Sequence, residues 1–312
     1  MNKRVLVTGG AGYIGSVLCE HLLDRGYGVT VLDNVLYGVP SLFHLCARKG
    51  FEFVYGDARD EALVTRLVRD ADVIVPLAAI VGAPACDRDP QMAETVNLGA
   101  IRLIDRVRSK DQLLVYLNTN SGYGTSSGEV YCTEDTPLEP ISVYGTTKVE
   151  AERTVRASPN AVVFRLATVF GTSPRMRLDL LVNHFVYAAV TDRFLVIFEK
   201  DFKRNFVHIR DVADGIIYAI EHADAMVGGV YNLGLDAANL SKGELAGKIQ
   251  EQVPNFFVHF AEVGSDPDKR NYIVSNQRLR DAGFEAGRSI DDGIRELITG
   301  YRTLGRGLYK NV

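Results

Sequence analysis

The sequence has no long apolar run, no concentration of positive charge and no regular spacing of cysteines. None of its apolar stretches approaches the roughly 18 residues that a membrane-spanning helix requires. Gly9 and Gly10 interrupt the first apolar run, and a secretory signal peptide would need a longer one with a cleavage site. The 35 basic and 39 acidic residues give a net charge of −4 without a basic stripe or tail. Nucleic acid is therefore not expected as a partner.

The cysteines are few and scattered. Cys19, Cys46, Cys86 and Cys132 form neither a CxxC pair nor a metal-binding spacing, which favours free thiols in a reducing compartment and no metal site. The chain has 312 residues, of which 46% are hydrophobic and 24% charged, so it is long enough for two packed lobes. We expect a globular cytoplasmic protein without a membrane partner.

The apolar runs that are present are short, rich in Val, Leu and Ile, and alternate with amphipathic stretches. Strands are predicted at residues 4–9, 28–33, 51–56, 72–78, 113–118 and 161–167, and helices at residues 15–25, 61–69, 92–109 and 144–157. Because the strand segments are continuously apolar, both faces of the sheet should be covered by helices. The pattern predicts an α/β fold, a doubly wound parallel sheet of the Rossmann type.

This rhythm changes after about residue 170. Residues 1–170 are predicted to form the Rossmann domain, and residues 205–236 to return to it, since VYNLG (230–234) is typical of a further strand of the main sheet. Residues 171–204 and 237–312 are predicted to form a smaller substrate-binding lobe.

A glycine-rich turn follows the first predicted strand. In RVLVTGGAGYIGS, Gly9, Gly12 and Gly15 form the pattern G-x-x-G-x-x-G between a strand and a helix. Glycines let a pyrophosphate approach the helix N-terminus, where unpaired N–H groups and the helix dipole favour negative charge. Asp33, at the end of the second strand, would bind the adenosine ribose hydroxyls and repel a 2′-phosphate. The predicted cofactor is therefore NAD rather than NADP.

The residues predicted to bind NAD are Gly9, Gly12, Tyr13, Ile14, Gly15, Asp33, Asn34, Asp57, Ala58, Leu77, Ala78, Ala79, Tyr144 and Lys148. Asp57 follows the third strand, where it fits an adenine contact or, alternatively, a turn or helix cap.

A tyrosine and a lysine lie four residues apart in SVYGTTK. Tyr144 and Lys148 begin a predicted helix and Thr119 follows the fifth strand, so all three lie at the edge where doubly wound sheets bind ligands. A neighbouring ammonium and a positive nicotinamide ring favour a phenolate. Tyr144 is thus predicted to take a proton from a substrate hydroxyl, Lys148 to bind the nicotinamide ribose, and Thr119 to orient the substrate oxygen. The alternative is an exposed helix face.

TGGAGYIG, Thr119 and YGTTK together resemble the extended short-chain dehydrogenase/reductase family, which contains nucleotide-sugar epimerases, dehydratases and dehydrogenases. RNFVHIRDVADGI (204–216) is similar to a stretch typical of this branch, and the resemblance spans nearly the whole chain. It implies a tightly held NAD in the larger lobe and a nucleoside-diphosphate sugar under the smaller one. It also implies a homodimer built from the helices at residues 92–109 and 144–157.

The residues after Thr119 bear on the reaction. Family members that eliminate water carry an Asp-Glu pair there, whereas this chain has Asn120 and Ser121, which disfavours dehydration. Oxidation at sugar C4 remains, followed either by hydride return in an epimerase or by release of a keto-sugar in a dehydrogenase. Residues 77–86, 118–124 and 165–183 are most similar to enzymes acting at C4 of GDP- or ADP-activated manno-heptoses. This similarity leaves both outcomes open.

Polar and basic side chains dominate the residues predicted to bind the substrate, which are Val81, Asn118, Asn120, Ser121, Arg175, Arg177, Asn183, Arg204 and Arg270. Arg204 and Arg270 carry guanidinium groups that match diphosphate oxygens, although a surface arginine is the alternative for each. Asn183 is predicted to contact the phosphates too or, alternatively, to be an exposed helix residue. Asn118, Asn120 and Ser121 would bind sugar hydroxyls or, alternatively, serve as strand-end turn residues.

Three further residues are open to two interpretations. Cys86 is either an acid/base for epimerisation at C3 or C5 or an inert packing residue. Asn97 and His208 are expected to be structural. The alternative to an enzymatic function is that the chain is a non-catalytic NAD-binding protein of the same fold. The complete Thr119, Tyr144 and Lys148 set argues against that alternative.

Overall fold

Strands and helices alternate along the chain in the structure, a computed structural model that describes residues 3–124, 131–262 and 271–303. The strands are β1 (Arg4–Thr8), β2 (Gly28–Asp33), β3 (Phe51–Tyr55), β4 (Val73–Pro76), β5 (Leu113–Thr119), β6 (Tyr131–Cys132), β7 (Ala161–Leu166), β8 (Thr168–Phe170), β9 (Phe194–Phe198), β10 (Lys203–His208), β11 (Val230–Leu233), β12 (Asn239–Ser241), β13 (Phe257–Ala261) and β14 (Ile273–Val274).

The helices are α1 (Tyr13–Asp24), α2 (Glu61–Arg69), α3 (Ala83–Arg88), α4 (Pro90–Glu94), α5 (Ala100–Val107), α6 (Val143–Arg156), α7 (Leu181–Thr191), α8 (Ile209–Glu221), α9 (Ala223–Met226), α10 (Lys242–Gln252), α11 (Gln277–Asp281) and α12 (Ile290–Thr303). Across the three described ranges, no helix has both the length and the apolar character needed to cross a membrane.

A parallel sheet with the strand order β11-β7-β5-β4-β1-β2-β3 forms the centre of the described structure. The alternate residues of β1 show how it is covered. Val5 and Val7 pack into one hydrophobic cluster with residues of α1 and α8, whereas Leu6 packs into a second cluster with residues of α2 and α5. Both faces are therefore buried, which is why the strands are continuously apolar in sequence. The predicted doubly wound α/β fold is confirmed.

The strand order reverses between β1 and β4. From β1 the chain continues to β2 and β3 on one side, and then crosses to β4 and β5 on the other. Such a reversal opens a crevice at the carboxyl ends of the strands. The Leu77 N–H donates to the Thr8 carbonyl over 2.8 Å, so the turns that leave β1 and β4 lie side by side at this point.

The helix predicted over residues 92–109 is interrupted by a π turn, Thr95–Gly99, between α4 and α5. Asn97 lies in this turn. Its side chain accepts from the Ile80 N–H (2.8 Å) and donates to the Ile80 carbonyl (3.0 Å), which fixes the loop after β4. Apolar periodicity did not predict the interruption, which is a single π turn inside an otherwise helical segment.

The remaining described strands form smaller sheets. β8 pairs in parallel with β10, which pairs antiparallel with β12, and β9 pairs in parallel with β13. β11, which contains most of VYNLG, returns to the main sheet beside β7.

Polar contacts connect the segment after β8 to the glycine-rich turn. The Tyr13 hydroxyl donates to the Gly171 carbonyl (2.7 Å), and the Asn183 amide donates to the Tyr13 hydroxyl (3.1 Å). The Ser173 hydroxyl donates to the Tyr13 carbonyl (2.8 Å). Burial raises the pKa of Tyr13, so its hydroxyl stays protonated. These bonds hold the segment after β8 against the start of α1.

Candidate active site

A cleft lies at the strand-order reversal. Its walls include every residue predicted from the sequence to bind the cofactor, namely Gly9, Gly12, Tyr13, Ile14, Gly15, Asp33, Asn34, Asp57, Ala58, Leu77, Ala78, Ala79, Tyr144 and Lys148. Residues from the turns after β1, β2, β3 and β4 and from the start of α6 thus share one cavity.

The glycine-rich turn leaves room only for backbone. Gly9 has a φ of +72°, and a Cβ placed there would lie 2.4 Å from the Ala78 nitrogen. A Cβ on Gly15 would lie 2.6 Å from the Gly10 Cα, so the first turn of α1 packs directly on the turn before it. Gly12 is the N-cap of α1 and has no side chain to bind the helix N–H groups. The start of α1, which has no side-chain cap, therefore lines the cleft, where its N–H groups and dipole favour negative charge.

Two carboxylates line the adenosine end predicted for the cleft. Asp33 accepts from the N–H groups of Ala11 (2.9 Å) and Val35 (2.7 Å), which orients it against the glycine-rich turn; each carboxylate oxygen keeps capacity for a further hydroxyl donor. Asp57 pairs with Arg59 at 2.7 Å, and this hydrogen bond holds the pKa of Asp57 below its ordinary value. Together with the glycine cradle, these groups fit a dinucleotide.

The tyrosine–lysine pair lies at the start of α6, where the Ser142 side chain caps the helix by accepting from the Gly145 N–H. Tyr144 is half-buried and Lys148 is buried. The Lys148 Nζ lies 4.4 Å from the centre of the Tyr116 ring. Burial lowers the pKa of Lys148 to about 7, and the nearby Glu152 carboxylate opposes this shift. Lys148 therefore does not lie on an exposed helix face, which was the alternative interpretation of this pair.

Thr119 ends β5 one residue beyond Asn118, which lines the cleft. The Thr119 hydroxyl donates to the Ser121 hydroxyl (3.0 Å) and accepts from the Ser121 N–H (3.1 Å). Asn120 is fully buried in the short 3₁₀ turn that follows β5. Of these residues, only Asn118 is among the cleft walls.

The remaining residues predicted to bind the substrate fall into three groups. Val81, Arg175 and Arg177 line the cleft. Asn183 and Arg204 are buried elsewhere. The Asn183 side-chain carbonyl accepts from the Gly171 N–H (3.1 Å), and its amide nitrogen donates to the Tyr13 hydroxyl (3.1 Å) and the Arg177 carbonyl (2.9 Å). Arg270 lies outside the described residues. The diphosphate contacts proposed for Asn183, Arg204 and Arg270 stay predictions.

Cys86 and His208 have structural surroundings. Cys86 is fully buried, its thiol donates to the Ile80 carbonyl (3.3 Å), and burial raises its pKa to about 11. Such a thiol is a poor base near neutral pH. His208 is buried and contacts Glu296 at 3.0 Å, which joins β10 to α12.

Sequence reasoning missed a contact between two residues of the cleft walls. The Arg175 guanidinium lies 4.2 Å from the centre of the Tyr37 ring, and both residues line the cleft. Tyr37 follows β2 and Arg175 follows β8, so the pair joins the two sides. No local pattern in the sequence indicates a contact between residues so far apart.

The fold and the cleft define a dinucleotide-binding protein of the doubly wound class. Residues 5–234 match the family described as "NAD dependent epimerase/dehydratase family". The low-salt glycan biosynthesis protein Agl12 of Haloferax volcanii is 30% identical over 311 residues, which cover 95% of this chain and 98% of that protein. YtcB of Bacillus subtilis, named as an uncharacterized UDP-glucose epimerase, is 32% identical over 323 residues, covering 97% of this chain and 99% of that protein.

The crystal structure of UDP-glucuronic acid 4-epimerase from Bacillus cereus, solved with UDP-glucuronic acid and NAD, matches with a TM-score of 0.86 at 25% identity. The match covers 96% of this chain and 99% of that one. The chain therefore belongs to the NAD dependent epimerase/dehydratase family, and the prediction of NAD as the cofactor is confirmed.

The Tyr37–Arg175 contact predicts slower release of NAD than an open cleft would give. Tyr37→Ala removes a cation–π interaction of about 0.5–2 kcal/mol, so NAD should dissociate roughly 2- to 30-fold faster. Stopped-flow displacement of fluorescent NADH by excess NAD measures this rate. The matched control is Tyr55→Ala, an exposed tyrosine on β3 that is not among the cleft walls. Equal release rates for wild type and Tyr37→Ala would show that the contact does not retain the cofactor.

Proposed function

We propose that this protein is an NAD-dependent 4-epimerase of a nucleoside-diphosphate sugar. It would oxidise the sugar at C4 and then reduce the same carbon from the opposite face. The observation that carries the proposal is the single cleft whose walls include both the glycine-rich turn with Asp33 and the Tyr144–Lys148 pair. Because dinucleotide-binding groups and a proton acceptor share one cavity, oxidation of an alcohol has the groups it needs in one place.

Each residue of the pair has a distinct role in this proposal. Tyr144 would take the proton of the C4 hydroxyl as general base. Lys148 would bind the nicotinamide ribose, and its ammonium would favour the phenolate of Tyr144. Thr119 would orient the substrate oxygen. When bound, NAD accepts hydride from the sugar carbon and later returns it.

Elimination of water is disfavoured by the residues after Thr119. Dehydration needs an acid to protonate the leaving hydroxyl and a base to remove a carbon-bound proton. Asn120 and Ser121 occupy these positions, and neither an amide nor a hydroxyl serves as such an acid. Asn120 is buried in the turn after β5, and its amide side chain is not acidic.

The rival function is a 4-dehydrogenase that releases the keto-sugar. It uses the same Tyr144, Lys148 and Thr119 set, so the catalytic residues do not separate the two. The names of two similar proteins, a UDP-glucose epimerase and a UDP-glucuronic acid 4-epimerase, support hydride return. Activated manno-heptoses remain among the candidate substrates because of the sequence similarity in residues 77–86, 118–124 and 165–183.

The test is a screen of nucleotide sugars by NMR in deuterated water. The purified protein with NAD is incubated separately with UDP-glucose, UDP-glucuronic acid, UDP-N-acetylglucosamine, GDP-manno-heptose and ADP-manno-heptose. We expect one of these sugars to give its C4 epimer without solvent deuterium at C4. That result requires return of the hydride first removed.

Other products separate the alternatives. A 4-keto product with accumulated NADH would replace the epimerase assignment by the dehydrogenase. Solvent deuterium at C3 or C5 would overturn both. NAD binding with no turnover of any of these sugars would favour the non-catalytic alternative.

The assembly and location are part of the same proposal. A homodimer would be built through the helices predicted at residues 92–109 and 144–157, and the enzyme would act in the cytoplasm on a soluble nucleotide sugar. Light scattering of the purified protein tests the dimer directly.

A further inference from the structure

A buried carboxylate lies one helical turn beyond the catalytic lysine. Tyr144, Lys148 and Glu152 are spaced by four residues along α6, which places them along one face of the helix. Glu152 is 1% exposed. Burying a carboxylate is costly unless it is paired and hydrogen-bonded, so its partners indicate what it does.

Two neighbouring strands supply these partners. Asn118 of β5 and Arg165 of β7 are opposite each other in the parallel register. The Arg165 guanidinium donates to both Glu152 oxygens, with its closest approach at 2.7 Å, and the Asn118 amide also donates to Glu152. Glu152 therefore joins α6 to the ends of two central strands.

The contact with Asn118 continues to Thr119. The Asn118 side-chain carbonyl accepts from the Thr119 N–H over 2.8 Å. Because the Asn118 amide nitrogen donates to Glu152, the orientation of this side chain is determined at both ends. A chain of hydrogen bonds thus runs from Glu152 to the backbone of the residue expected to orient the substrate.

The charges around Lys148 explain why a carboxylate here has a chemical effect. On α6 itself, Tyr144 lines the same cleft as Lys148 and Glu152 lies one turn beyond it; the Lys148 ammonium lies over the Tyr116 ring of β5. From β7, the Arg165 guanidinium donates to Glu152. Burial disfavours the charged form of Lys148, and Glu152 is the group that opposes it. Loss of that carboxylate would remove a negative charge that lies one helical turn from Lys148 on α6 and that favours the ammonium.

Arg177, from the segment after β8, adds a second positive charge close to Tyr144. Its own partner is Asp179, with a distance of 3.1 Å between the Arg177 Nε and the carboxylate. Asp179 is thus engaged by Arg177, whereas Glu152 is the carboxylate that favours the charged form of Lys148.

We propose that Glu152 is a positioning residue whose carboxylate stabilises the Lys148 ammonium in the interior and holds Asn118 in the orientation that supports Thr119. This rests on the proposed role of the Tyr144–Lys148 pair. Glu152 does not touch the reacting atoms. It acts through Lys148 and Asn118.

The test measures the titration of Lys148 directly. Protein labelled with ¹³Cε-lysine and saturated with NAD is titrated by NMR, and Lys148→Met identifies the Lys148 signal by its loss. In Glu152→Gln, the midpoint should fall by about one pH unit, because a compensating charge is lost. In Arg165→Gln, which breaks the same ion pair but keeps the carboxylate, the midpoint should stay or rise. Glu150→Gln, on the same helix but more exposed, should leave it unchanged.

The opposite responses of the two variants separate a chemical role from a structural one. A midpoint in Glu152→Gln that is unchanged or higher, or one that moves in the same direction in Arg165→Gln, would overturn the proposal. The double variant Glu152→Gln/Arg165→Gln removes both charges of the buried ion pair, so neither partner is left as an unpaired charge, and it should fold. Its midpoint should also lie below that of the wild type, and a wild-type midpoint in the double variant would equally overturn the proposal.

The titration uses no sugar, so its outcome is independent of the substrate screen. If the midpoints shift as expected but no nucleotide sugar is turned over, the proposed epimerase fails and the effect of Glu152 on Lys148 stands. If turnover is found without the shifts, the proposed epimerase stands and the proposed effect of Glu152 on Lys148 fails. In an active enzyme, the alkaline limit of kcat in Glu152→Gln should move to lower pH in parallel with the Lys148 midpoint.

Discussion

Replacing Tyr144 with phenylalanine is expected to lower kcat by roughly 10³-fold, the range that loss of a positioned general base produces. The ring keeps its place at the start of α6, but no oxygen remains to take the C4 proton. NAD should stay bound, because the glycine-rich turn and Asp33 lie on other elements. The measurement is turnover of the sugar found in the NMR screen, with bound NAD quantified after denaturing the same sample.

The control for this substitution is Tyr55→Phe. Tyr55 is an exposed tyrosine on β3, so removal of its hydroxyl should leave kcat unchanged. Wild-type turnover in Tyr144→Phe would remove Tyr144 from the chemistry. Loss of NAD together with activity would mean that the substitution damaged the cleft rather than the proton transfer.

The second large effect is expected on stability, from Arg165→Leu. Arg165 and Glu152 are 2% and 1% exposed and 2.7 Å apart, and Arg165 also donates to the Tyr123 hydroxyl (3.1 Å). Removing the guanidinium leaves a buried carboxylate without its charge partner, which costs about 3–5 kcal/mol. Urea unfolding followed by circular dichroism should show this loss as a lower midpoint.

The chain offers a matched control on the same carboxylate. Arg156 lies 3.8 Å from Glu152, but its side chain is 55% exposed. Arg156→Leu should therefore change the free energy of unfolding by no more than about 1 kcal/mol, as for surface ion pairs generally. Equal losses in the two variants would contradict the assignment of Arg165 as the buried partner.

The parts of the site that could be predicted from sequence are local. Gly9, Gly12 and Gly15 fall within one short turn between a strand and a helix, and Tyr144 and Lys148 lie one helical turn apart. In each case the physical requirement, either a close backbone approach or a shared helix face, is expressed over a few residues. The parallel sheet could also be predicted, because strands that are buried on both faces have continuously apolar sequences.

The parts that were missed depend on contacts between distant segments. Tyr37 and Arg175 meet across the cleft, and the partner of Glu152 lies on β7. No local periodicity records which helix face will meet which strand. Asn183 shows the same limit, since its hydrogen bond to the Tyr13 hydroxyl joins residues far apart in the sequence. Glu152 itself continues the spacing of Tyr144 and Lys148, so that signal was present in the sequence.

The central claim is that one cleft holds the dinucleotide and brings its reactive ring to Tyr144. The most direct test is a crystal structure of the purified protein with NAD. We expect the adenosine to bind at Asp33 and the pyrophosphate at the start of α1. The nicotinamide ribose should lie about 3 Å from the Lys148 Nζ, a hydrogen-bond distance. A dinucleotide bound in the reverse direction, or elsewhere with Tyr144 turned to solvent, would contradict the central claim.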